Sequence, residues 1–151
     1  MRVAVLAFAL AVAAQPAAQS AAASEVTVRI VLATQTMTVS RAGTVLYQWP
    51  VSTARTGKVT PTGTFRPERL VRNHRSSLYD GAPMPWSIFF RGNYAIHGTT
   101  AVERLGEPVS AGCVRLAPEN AQLLFDLVRE VGTGETEIVI ESGIEPEREN
   151  G

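Results

Sequence analysis

After residue 23, only one stretch of this chain has the spacing of a helix. That pushes the rest of the fold toward β-structure. Ala121, Leu124, Phe125 and Val128 fall on one helical face between Pro118 and Gly132. Proline fits a first helical turn and glycine commonly ends a helix, so the spacing predicts a helix over 118–131. The remaining apolar residues alternate instead. Val26, Val28 and Ile30 share one face of an extended segment, with Thr27, Arg29 and Val31 on the other. Thr36 to Ser40 repeats the alternation, Arg41-Ala42-Gly43 signals a turn, and Val45 to Val51 runs on as an extended segment, which together read as an antiparallel meander. Thr64 to Arg66, Trp86 to Phe90, Tyr94 to His97 and Glu137 to Ile140 read as further strands, with Arg91-Gly92-Asn93 as a hairpin turn. Pro67 to Pro85 and Gly98 to Pro108 show no period. They are expected to be irregular, and loops of such length are often functional. The class read from these residues is mainly β with one packed helix.

The first 23 residues follow a different rule. Arg2 precedes an unbroken apolar run, Val3 to Ala14, and Ala21-Ala22-Ala23 offers the small residues that a signal peptidase accepts. This is the pattern of a secretory signal peptide. The run falls short of the ~20 apolar residues that a bilayer span takes, which disfavours an uncleaved anchor. No cysteine lies near the cut, so a lipoprotein anchor is excluded. The expected organisation is a leader over 1–23, one domain over 24–140 and a flexible acidic tail over 141–151, with no stable membrane insertion once the leader is removed. The 151 residues carry 14 Lys+Arg against 14 Asp+Glu. A nucleic-acid binder would carry a basic excess, so nucleic acid is not an expected partner.

Chemistry concentrates at two places. One is Ile96-His97-Gly98, at the end of an apolar run. The other is Ser110-Ala111-Gly112-Cys113-Val114-Arg115-Leu116, just before the helix. Cys113 is the single cysteine. In an exported chain it is either a reactive thiol or a buried, inert small hydrophobe. A free thiol has a pKa of about 8.5, so a nucleophilic cysteine needs a base to take its proton. An imidazole can do so and leave an ion pair. Gly112 would let a carbonyl approach the backbone closely, and the Gly112 and Cys113 amides could face a developing oxyanion. His74 is the other histidine, in a polar run that reads as a solvated loop. Two histidines and one cysteine show no metal-ligand spacing, and no glycine-rich phosphate loop is present, so no metal or other cofactor is expected.

These segments resemble the L,D-transpeptidase catalytic domain family, the YkuD type. Its marks are an Ile-His-Gly-like segment, a lid loop, and Ser/Thr-His-Gly-Cys followed by Arg or Asn. Here stand Ile96-His97-Gly98-Thr99, Leu105-Gly106-Glu107-Pro108 and Ser110-Ala111-Gly112-Cys113-Val114-Arg115. Upstream, Val51-Ser52-Thr53 with Thr60-Pro61-Thr62-Gly63-Thr64-Phe65 is similar to the family's VSTG…TPTGxF segment, and Met84 to Phe90 to the strand before its histidine. Downstream, Asn120-Ala121 and Leu124 resemble its helix. The likeness runs from about Val26 to Ile140. One position departs: the usual histidine two residues before the cysteine is Ala111, which bears on rate and substrate range but leaves the nucleophile and the earlier histidine in place.

The resemblance implies a sandwich of two mixed β-sheets, with cysteine and histidine in a cleft under a mobile loop, taken as Gly98 to Pro108. It implies Cys113 as nucleophile and His97 as base, with the Gly98 carbonyl orienting the imidazole and Gly112 lending an oxyanion N–H. Ser110 and Arg115 would be supporting residues, Arg115 through a structural salt bridge. Trp86 and Tyr79 are expected in core packing rather than lining the cleft. The implied activity is exported, in the periplasm or cell wall: 3→3 cross-linking between diaminopimelate residues of peptidoglycan stem peptides, or attachment of a lipoprotein to the wall. A hydrolase on the same scaffold and a non-catalytic wall-binding domain are the alternatives. Oligomeric state is not legible.

Overall fold

The computed structural model describes residues 23–143. Residues 1–22 of the expected leader and 144–151 of the expected tail lie outside the described residues.

The alternating segments pair as their patterns require. Strands β1 (Val26–Val31), β2 (Thr36–Arg41) and β3 (Thr44–Pro50) form the expected antiparallel meander, with Val28 opposite Val39 and Ile30 opposite Met37. The last strand, β9 (Thr136–Glu141), lies parallel to β1, with Val28 opposite Ile138. The short β4 (Gly63–Phe65) pairs antiparallel on the far side of β9, giving a five-stranded sheet in the order β3-β2-β1-β9-β4. The second sheet has four strands in sequence order: β5 (Arg69–Arg75), β6 (Pro83–Arg91), β7 (Tyr94–Gly98) and β8 (Val114–Leu116). Its first three are antiparallel and β8 runs parallel to β7. Both sheets are therefore mixed, as expected.

The helix α1 spans Pro118–Val131, the predicted bounds, and buries Ala121, Leu124, Phe125 and Val128. That stripe joins one core with Val28, Ile30 and Ile138 of the first sheet and Ile88, Phe90, Ile96 and Leu116 of the second. Leu124 is 0% exposed. Removing water from these side chains is the main stabilising term, at about 25 cal/mol per Å² of apolar surface.

Two local expectations are corrected. Pro67 to Pro85 is not wholly irregular, because Arg69–Arg75 forms β5 against β6, with His74 opposite Met84. The apolar/polar alternation there is weak, with only Leu70, Val71 and His74 partly buried, so tertiary pairing decides the outcome. The closing strand reaches Glu141, whose carboxylate takes Arg29 Nη2 at 2.9 Å.

Candidate active site

The β7–β8 pair sets the geometry of the site. Ile96 lies opposite Val114 and His97 opposite Arg115 in parallel register. Ile96 and Val114 are both fully buried in the core. Side chains alternate along a strand, so His97 and Arg115 share the other face of the sheet. Cys113, one residue ahead of β8, lies on that same face and packs beside Met84, Phe89 and Ala95. His97 and Cys113 are thus diagonal neighbours on adjacent strands, about 8 Å apart at Cα from strand spacing and rise. Both line one cavity of about 1040 Å³.

His97 is 6% exposed. Its Nδ1 lies 2.7 Å from the Gly98 carbonyl oxygen. A carbonyl only accepts, so Nδ1 carries the hydrogen and the neutral ring presents an unprotonated Nε2. Burial pushes the imidazole pKa down to about 4, outweighing the Gly98 bond that raises it; the Arg115 and His74 charges push it further down. The ring is therefore neutral at pH 7. Burial also pushes the Cys113 thiol up, against the lowering effects of the Ala95 backbone and the Arg115 charge. Both shifts favour neutral thiol and neutral imidazole over a standing ion pair. The thiol is aimed at the Asn93 carbonyl, at 3.8 Å. Such a pair can transfer its proton as the sulfur attacks.

Ser110 shapes the turn before the cysteine. It is fully buried; its hydroxyl accepts from the Gly112 N–H at 3.0 Å and donates to the Cys113 carbonyl at 2.7 Å. The Gly112 amide, expected to face an oxyanion, is thereby engaged inside the turn. None of the turn's hydrogen bonds uses the Cys113 N–H. Gly112 itself has φ +140°, and an added Cβ would lie 2.7 Å from Tyr94 Cε1 and 2.9 Å from the Val59 carbonyl oxygen. Only glycine fits there. Thr60 holds the turn from below: its hydroxyl donates to the Gly112 carbonyl at 2.8 Å and accepts from Ala54 N–H at 3.0 Å. The buried Gln35 side chain in turn braces Thr53, accepting from its N–H at 2.9 Å. These bonds tie the Val51-Ser52-Thr53 and Thr60-Pro61-Thr62-Gly63 segments to the cysteine turn.

Several expected roles change. Arg115 makes no ion pair among the described residues. Its backbone bridges to Ser52, its side chain lines the cavity, and its charge reaches both His97 and Cys113. Trp86 packs on Phe125, as expected, with rings 5.4 Å apart. Tyr79 instead stands at the cavity mouth, 51% exposed. The segment over the cavity is the β5–β6 hairpin around Ser76, Leu78 and Tyr79, whereas of Gly98 to Pro108 only Gly98, Thr99 and Thr100 line it. The rest of that loop is tied to the Val51–Arg55 segment: Gly106 N–H donates to the Val51 carbonyl at 2.8 Å and Ser52 Oγ to the Glu107 carbonyl at 2.6 Å. His74 lies on β5, its ring edge against Phe89 with 4.9 Å between centroids. Sequence reading missed Arg55, Lys58, Arg91 and Asn93, which carry no motif signal of their own. Among the described residues no three His, Cys, Asp or Glu side chains converge as metal ligands would.

Residues 25–140 match the family model of the L,D-transpeptidase catalytic domain, YkuD. A Bacillus subtilis (strain 168) protein named as a candidate L,D-transpeptidase, YkuD, is 29% identical over 103 residues, which is 67% of this chain and 59% of that protein. The L,D-transpeptidase from Mycobacterium smegmatis superposes with TM-score 0.70 at 25% identity, covering 79% of this chain and 59% of that one. The LD transpeptidase LdtMt1 in complex with imipenem superposes with TM-score 0.69 at 25% identity, covering 78% and 59%. This chain thus spans well under two thirds of the length of each of these relatives. The family match takes in both sheets, the helix and the cysteine turn, and the chain belongs to the YkuD L,D-transpeptidase catalytic domain family.

Proposed function

We propose that this chain is an exported L,D-transpeptidase of the periplasm or cell wall that works through an acyl-enzyme on Cys113. The observation that carries the reading is the His97 imidazole. It is held neutral by burial, fixed through Nδ1–H to the Gly98 carbonyl, and lines the same cavity as Cys113. The imipenem complex of LdtMt1 supports it, because a β-lactam carbonyl is an electrophile suited to a nucleophilic side chain.

In the proposed reaction, the donor is a tetrapeptide stem. Cys113 Sγ attacks the carbonyl of diaminopimelate at its L-centre, while His97 Nε2 takes the thiol proton. The Cys113 N–H, which the turn leaves unused, donates to the oxyanion. The tetrahedral intermediate collapses, the C–N bond breaks, and His97 returns the proton to the departing D-alanine amine. The amine of diaminopimelate on a neighbouring stem, or of a wall-attached lipoprotein, then attacks the thioester. His97 takes a proton from that amine and hands it to the leaving sulfur, which regenerates the thiol and leaves a 3→3 cross-link or a protein–wall bond. Ala111 removes the second imidazole next to the thiol, so proton transfer rests on His97.

Incubation with disaccharide-tetrapeptides followed by product mass spectrometry tests this. Cross-linked dimers with release of D-alanine are expected. Shortened monomers alone would replace transfer with hydrolysis, and unchanged substrate with intact wall binding would leave only a binding domain.

A further inference from the structure

The chain as a whole is electrically balanced, with 14 basic and 14 acidic residues, yet its cavity is not. Arg55, Lys58, Arg91 and Arg115 line the cavity, and among the described residues no aspartate or glutamate does. Most of the other described arginines have charged or aromatic partners, although Arg66 and Arg75 reach only the backbone carbonyls of Gly134 and Gly81. Arg29 pairs with Glu141, Arg41 with Glu25 and Glu130, Arg104 with Glu107 and Arg129 with Asp126. Arg69 lies over the Phe89 ring and Arg72 over Trp86. None of the four cavity cations joins an ion pair or an aromatic face among the described residues. Arg55 Nη1 finds only the Ser110 carbonyl, at 3.3 Å.

These cations come from three separate segments around the thiol. Arg55 and Lys58 belong to one turn, closed by Lys58 N–H to the Arg55 carbonyl at 2.9 Å, next to the Val59 carbonyl beneath Gly112. Arg91 is on the β6–β7 hairpin whose Asn93 carbonyl takes the thiol. Arg115 is beside the imidazole on β8. A concave surface of one sign concentrates ligands of the other, and guanidinium forks match carboxylates in geometry.

We propose that the cavity selects a donor peptide bearing at least two free carboxylates, read by Arg91 and Arg115 near the reacting carbonyl and by Arg55 and Lys58 on the segment under Gly112. The identity of the peptide rests on the reading above: a tetrapeptide stem has such groups on its terminal D-alanine and on diaminopimelate. Amidation of those groups would remove the anions and weaken binding without touching the scissile bond.

The test measures binding apart from chemistry. A Cys113→Ala chain is titrated calorimetrically with a tetrapeptide stem carrying free carboxylates, and with the same stem amidated. The free form is expected to bind at least about tenfold more tightly at low salt, with the margin shrinking at high salt as screening shortens the field. In the same background, R91Q and K58Q should each weaken the free form about three- to tenfold and leave the amidated form unchanged. Equal affinities for the two stems, binding of neither, or variants that weaken both alike would overturn the proposal. If Cys113→Ala discriminates but the unmodified chain releases no D-alanine, the reaction reading fails while the selection stands. Equal release of the terminal residue from both stems, as D-alanine from the free stem and as its amide from the amidated one, with equal affinities, is the reverse.

Discussion

The pH dependence of Cys113 acylation separates a concerted proton transfer from a preformed thiolate. Burial lowers the His97 pKa from 6.5 to about 4 and raises that of the thiol. A base must be neutral to act, so its contribution is lost as pH falls through about 4, not through 6.5. The wild-type rate is therefore expected to be flat across the neutral range and to fall only near pH 4. His97→Asn removes the base and leaves attack to whatever thiolate the solvent generates. Its rate should then climb about tenfold per pH unit until the thiol ionises, overtaking little of the deficit at pH 7 and most of it in alkali. The same shift enters stability. A histidine that resists protonation in the folded state costs stability as pH drops below its unfolded value of 6.5. By about pH 4 the wild type should have lost roughly 3 kcal/mol more than His97→Asn, from 1.36 kcal/mol per pKa unit. Single-turnover acylation by a carbapenem, followed by intact mass, gives the first profile, and urea titrations at a series of pH values give the second. A wild-type acid limb between pH 6 and 7, or parallel profiles for both proteins, would refute the reasoning.

Three substitutions probe the scaffold. Gly112→Ala drives a methyl group to within 2.7 Å of Tyr94 Cε1 at a φ of +140°. A stability loss of about 2 kcal/mol or more by urea unfolding and loss of acylation are expected, and wild-type values for both would show that the turn relaxes freely. Ser110→Ala leaves the Gly112 N–H and the Cys113 carbonyl without their shared partner. It should cost about 1–3 kcal/mol and slow acylation more than it changes inhibitor affinity, which paired kinetic and binding measurements would check. Leu124→Ala empties part of a fully buried position and should cost about 2–5 kcal/mol in the same unfolding assay, with the acylation rate unchanged below the transition.

The parts of the fold that were legible are those where one side chain in two, or one in four, meets the core. β1, β2 and α1 have sharply divided faces, and Val26, Val28, Ile30 and the Ala121–Val128 stripe could hardly be read otherwise. β5 was not legible, because its three partly covered residues, Leu70, Val71 and His74, are split between its two faces while its arginines reach over rings or into solvent. The three-residue β8 is too short to carry a period, and it exists because Ile96 and Val114 meet in the core. At the site, Cys113, His97 and the Gly98 carbonyl stood out through local motifs. The staple at Ser110, the engagement of the Gly112 amide and the cavity-lining cations at Arg55, Lys58 and Arg91 did not. They arise from segments far apart in sequence that only the folded chain brings together. The sequence points Tyr79 toward packing, whereas its place at the cavity mouth follows from the β5–β6 hairpin, which the sequence does not reveal.

The most direct measurement is the intact mass of the protein after exposure to imipenem, with the modified residue located by peptide mapping. One covalent adduct is expected, on Cys113, formed slowly in His97→Ala at pH 7 and absent from Cys113→Ala. No adduct on the unaltered chain, or an adduct of equal yield in Cys113→Ala, would contradict it.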